Sequence, residues 1–93
     1  MARRKRKSWA NVGKTQLDLL HSASLGEIVR MVSRVGGMAH ALDGAATWPG
    51  PASLRFALVK GWITDAGEIT DAGRSAMERA KAAREAYYFG VSL

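Results

Sequence analysis

A chain of 93 residues without cysteine supports one domain with a modest core and excludes both disulfide staples and thiolate metal sites. Its net charge of +6 is concentrated: five of the 14 basic residues are the consecutive Arg3, Arg4, Lys5, Arg6 and Lys7, which leaves 14 − 5 = 9 against 8 acids, a near-neutral body. No apolar run approaches the ~20 residues of a membrane helix, and Ser8, Asn11, Gly13 and Lys14 stand where a signal peptide would be apolar, so a cytoplasmic protein without membrane contact is expected.

Residues 1–12 read as a disordered basic arm, because like charges repel and nothing apolar offsets the entropy of ordering. Its attraction to polyphosphate is strong and blind to sequence. Residues 13–93 read as the folded domain.

The first helix is predicted over 15–22, with Leu17, Leu20 and His21 on one face, His21 half-buried, and Thr15 with Asp18 as a capping pair. Ser24 and Glu27 have the spacing of a capping box for a second helix, in which Leu25, Ile28, Val29, Val32 and Val35 form an amphipathic stripe. Arg30 and Arg34 lie on its outer side, and Gly36-Gly37 stops it. Residues 38–42 add one or two helical turns before Asp43-Gly44. Trp48-Pro49-Gly50-Pro51 reads as a rigid turn. Pro51 then opens a helix over 51–60, with Leu54, Ala57 and Leu58 on one side and Ser53, Arg55, Phe56 and Lys60 elsewhere; Gly61 ends it.

A hexapeptide echo follows, Ile63-Thr64-Asp65-Ala66-Gly67-Glu68 and Ile69-Thr70-Asp71-Ala72-Gly73-Arg74. The first copy reads as a short strand, a turn at Asp65-Ala66-Gly67 and a return strand at Glu68-Ile69-Thr70. In the second, Thr70 or Asp71 caps a final helix over 71–87 that is rich in Ala, Arg, Glu and Lys. Ala76, Ala80, Ala83 and Tyr87 share a stripe of that helix, with Met77 beside it. The fold class is therefore mainly α with a small β-hairpin, in a single domain.

The stretch from Leu54 to Met77, LRFALVKGWITDAGEITDAGRSAM, resembles the second half of a winged-helix domain of the MarR and PadR type. Gly61-Trp62-Ile63 stands where such domains end the recognition helix and open the wing, and Thr70-Asp71-Ala72-Gly73-Arg74 matches the Thr-x-x-Gly-Arg motif that starts the next helix. The helix order extends the likeness back to Thr15. The resemblance implies a winged helix-turn-helix that regulates transcription by binding double-stranded DNA. The 51–60 helix would enter a major groove, with Ser53, Arg55 and Lys60 reaching bases or phosphates. It also implies a homodimer through the terminal helix, with Met77, Ala80, Tyr87, Tyr88 and Phe89 as the dimer or partner interface.

Two features depart from the pattern. The wing is short and carries Asp65 and Glu68 where DNA-gripping wings carry Arg or Lys. The segment before the recognition helix is long, so either 25–35 or 38–42 serves as the supporting helix.

The near-neutral body, the acidic wing and the aromatics Trp48, Phe56, Tyr87 and Tyr88 also fit a different class: a winged helix that docks on and modulates a larger host or viral complex. A phage or mobile-element accessory protein would have this size. A plain solvated helix is the bland reading of 51–60. No RNA-reading motif is visible.

No enzyme, catalytic residue, cofactor or metal is expected. Gly13-Lys14-Thr15 echoes the end of a phosphate-binding loop, but Ser8 replaces its required glycine. His21 and His40 have no carboxylate at ligand spacing, and Asp65, Glu68 and Asp71 sit at turn and cap positions that favour acids anyway.

Overall fold

Helix α1 (Lys14–Ser24) starts behind Gly13, which has the extended backbone of an N-cap but no side chain to cap the first turn. The computed structural model describes residues 12–89, with side chains to residue 85; Arg3, Arg4, Lys5, Arg6 and Lys7 lie outside the described residues. The expected Thr15–Asp18 cap is not made. Asp18 instead accepts the Lys14 ammonium at 3.0 Å along the exposed face. Leu19, Leu20 and Ala23 form the buried face. His21 is exposed rather than half-buried, because it lies about 100° round the helix from Leu20, beyond the edge of that face.

The second capping box is also absent. Ser24 ends α1, where its hydroxyl donates to the His21 carbonyl at 2.6 Å, and Gly26 at φ 80° precedes α2 (Glu27–Arg34). Ser24 is the last residue of α1 and Gly26 holds the N-cap position of α2, so Ser24 is not placed to cap forward. Leu25 is left between the helices and exposed, while Met31 joins Ile28 and Val32 in the core. Val29 and Val35 are half-buried.

After Gly36-Gly37, α3 (Met38–His40) runs on into a wider π turn over Ala41–Ala45, past the expected end at 42. Met38 and Ala41 are its buried residues. A cis Trp48–Pro49 peptide leads into α4 (Pro51–Val59), with Pro51 in the first turn and Lys60 as the C-cap. Leu54 and Ala57 are buried, and Leu58 is half-buried.

The expected hairpin is reduced to one antiparallel bridge between Ile63 and Ile69, and the described residues contain no β-strand. The turn consumes the pairing positions: the Gly67 N–H donates to the Thr64 carbonyl and the Thr64 N–H to the Glu68 carbonyl, both at 2.8 Å. Gly67 is buried at φ 91°, and a Cβ there would lie 3.1 Å from the Ile28 carbonyl oxygen. The tip therefore rests on α2.

Thr70 is the N-cap of α5 (Asp71–Phe89). Its hydroxyl accepts from the Gly73 N–H at 3.0 Å and donates to the Gly61 carbonyl at 2.6 Å. Gly73 presses against the backbone of Trp62, just before the bridge, where any Cβ would collide with the Trp62 carbonyl oxygen. The Thr-x-x-Gly pattern thus joins the end of α4 to the start of α5.

α1 lies at the centre of the domain and packs against α2, α4 and α5, while α4 also packs on the π turn after α3. The result is a mainly helical single domain. Ala76, Met77 and Ala80 of α5 belong to its core. This corrects the expectation of Met77 and Ala80 as interface residues: at 4% and 0% exposure they are consumed within their own chain. The reason is the small size of the alanines, which lets α5 approach a neighbour closely, and that neighbour is α1. Tyr87, Tyr88 and Phe89 lie on the last turn of α5, and their side chains fall outside the described residues.

Candidate nucleic-acid interface

α4 owes its position to two faces of unequal depth. Leu54 and Ala57 turn inward, fully buried. Ala52, Arg55, Phe56 and Val59 form the outward stripe at helical spacing, with Lys60 just past its end. Val59 is 80% exposed and Phe56 43%. No acidic residue occurs from Pro51 to Lys60, and Arg55 makes no ion pair among the described residues.

Phe56 is held rather than loose. Its ring meets the buried Trp62 edge-on, with centroids 5.8 Å apart at 62°, and the Lys60 Nζ stands 5.5 Å from its centroid. A side chain so braced loses little rotamer freedom on contact with a partner.

The other flank of α4 faces the start of α1 across an open cleft lined by Gly13, Lys14, Thr15, Gln16, Ala52, Ser53 and Phe56. Gln16 spans it, its Nε2 donating to the Ser53 carbonyl oxygen at 2.9 Å. Of the three predicted contact residues on this helix, Arg55 and Lys60 are exposed, whereas Ser53 is half-buried on the cleft side. Gln16 is a positioning residue that sequence reasoning missed, since nothing in its local pattern points to a partner so far along the chain.

Val12 anchors the chain ahead of this cleft. It is buried, and its carbonyl accepts from Arg84 Nη2 at 3.2 Å. Lys7 stands six residues before Gly13, a separation of at most ~20 Å for an extended chain.

The acids are placed elsewhere. Asp65 and Glu68 are exposed around the wing tip that rests on α2. Arg74, the last residue of the Thr-x-x-Gly-Arg motif, is exposed on α5 in an open depression shared with Asp71, Ser75, Glu78 and Arg79, where charges of both signs alternate. Among the described residues no group of His, Asp and Glu is placed to hold a metal ion, and no helix is long and apolar enough to cross a membrane.

No protein-family model matches the chain, and neither a curated protein nor a solved structure gives a significant match.

Proposed function

We propose that this chain is a small winged-helix DNA-binding protein acting in transcription regulation, with α4 as its major-groove helix and the run Arg3 to Lys7 as its phosphate-binding arm. One observation carries the reading: the root of the arm and the outward face of α4 border the same cleft. Arm and helix can therefore engage one duplex together, the arm supplying charge and the helix supplying base contacts. Within this reading the segment of α3 is the supporting helix, because of the two candidates it is the one whose continuing π turn packs on α4.

The chemistry divides by residue. Arg55 is the side chain able to make a bidentate contact with guanine. Lys60 and the arm address phosphates. The acidic wing stays out of the contact, in keeping with its tip lying on α2.

Selection from a randomised duplex pool at two salt concentrations, with and without residues 2–7, tests the proposal. A recurring motif whose affinity falls broadly on deletion supports it. If all five arm cations contact phosphate, deletion flattens the salt slope by about 4.5. Salt-sensitive binding with no motif, lost with the arm, would sink the regulator reading.

A second reading is favoured by the apolar residues on α4. Val59 at 80% exposure and Phe56 at 43% are also what a protein-docking winged helix would offer to a larger complex. Absence of any duplex motif moves the assignment to that class.

A further inference from the structure

The outward stripe of α4 is unusual for a helix assigned to a polyanion, because most of it is apolar. Ala52, Phe56 and Val59 recur at spacings of four and three, with Arg55 between them. Val59 has no packing duty in the domain, being 80% exposed. Phe56 is braced on Trp62 with its remaining surface open.

We infer that this stripe reads thymine methyl groups in the major groove, so that the preferred duplex carries adjacent thymines beside a single guanine contacted by Arg55. The inference rests on the DNA-binding reading above and names its target. In the major groove the four base pairs present polar edges, and the C5 methyl of thymine is the one apolar group among them. An apolar side chain set against a polar edge strips water from it without replacing the hydrogen bond, which is unfavourable. The same side chain against a methyl buries apolar surface on both partners.

The dimensions agree. Ala52 to Val59 spans seven residue steps, about 10.5 Å at 1.5 Å per step. Successive base pairs are about 3.4 Å apart, so the stripe covers about three steps. Charge selects duplex DNA over a protein surface as the occupant: α4 has no acid, Arg55 and Lys60 flank the apolar residues, and the sequence carries five consecutive cations, Arg3 to Lys7, shortly before Gly13.

The test replaces thymine by uracil, which lacks only the methyl, in the duplex recovered by selection. Full-length protein should bind the uracil duplex about fourfold more weakly for each methyl it reads. Val59→Ser should lose the penalty at one position, and circular dichroism should show an intact fold because Val59 is not in the core. Arg55→Ala should relax the guanine preference while keeping the uracil penalty. Equal affinity for thymine and uracil duplexes, with the motif still recognised, overturns this inference and leaves DNA binding standing. Recovery of no duplex motif overturns both, and an acidic, amphipathic protein segment then becomes the occupant of the stripe.

Discussion

Gln16 and Ser53, 37 positions apart in sequence, are joined by one hydrogen bond from the Gln16 Nε2 to the Ser53 carbonyl oxygen at 2.9 Å. That bond crosses the cleft between the start of α1 and the first turn of α4, and so helps set the distance between the two helices. Gln16 Oε1 is buried without a hydrogen-bond partner, so the carboxamide is there for its donor.

Gln16→Glu removes the donor and points an acceptor at the Ser53 carbonyl. The variant should lose about 1–3 kcal/mol at neutral pH in urea unfolding. Acidification should recover part of the loss, because a protonated carboxyl can donate again. The sign follows from linkage: burial and the facing carbonyl raise the folded-state pKa of residue 16 in the variant, so stability present at low pH disappears as pH rises. A variant equally stable at pH 4 and pH 7 would show that the cleft contact contributes nothing.

Thr70 and Gly73 form the junction between the Ile63–Ile69 bridge and α5. Thr70→Val loses both the cap to Gly73 and the bond to Gly61, and should cost about 1–2 kcal/mol; Thr70→Ser should retain most of the stability. Gly73→Ala drives a methyl into the Trp62 carbonyl and should cost about 3 kcal/mol, the upper end for overpacking. Thermal unfolding of the three variants ranks them, and a stable Gly73→Ala protein would contradict the close approach.

Ala80 distinguishes core from interface. Because it is 0% exposed where α5 meets its own domain, Ala80→Leu should destabilise the protein by about 1–3 kcal/mol at any protein concentration. Were Ala80 a dimer contact instead, its effect would depend on concentration, and sedimentation velocity would register a change in assembly without loss of fold.

Arg55 and Lys60 should separate in binding assays. Arg55→Ala should cost about 1–3 kcal/mol on the preferred duplex and relax one position of the motif, while Lys60→Ala should weaken all duplexes alike and lower the salt slope by about 0.9. Both variants are expected to fold normally, since both side chains are exposed. Identical, sequence-independent losses would remove Arg55 from base readout.

Much of the fold was legible from local pattern. Gly36-Gly37, Pro51 and Gly61 mark helix ends where expected, and Leu54 and Ala57 are buried as their spacing requires. The failures share a cause. Ser24, Leu25 and His21 were placed by competing local rules: Ser24 could close the first helix or open the second, and it closes α1, so α2 starts behind Gly26 and Leu25 is left exposed. The hairpin shrank to one bridge because Thr64 and Gly67 closed the turn before a second pair could form.

Sequence by itself determined the charge segregation, the helix order and the chemistry offered by α4, because these depend on composition and on residue spacing along a single element. Tertiary structure alone decided which stripes are spent internally and which remain on the surface. Met77 and Ala80 could serve a second chain or α1 with the same periodicity, and only the packing of α5 on α1 assigns them to the core. The nearness of the arm's root to α4 has the same origin: it depends on Gln16 meeting Ser53 and on Val12 being pinned by Arg84. These are contacts between residues far apart in the chain, and local periodicity carries no information about them.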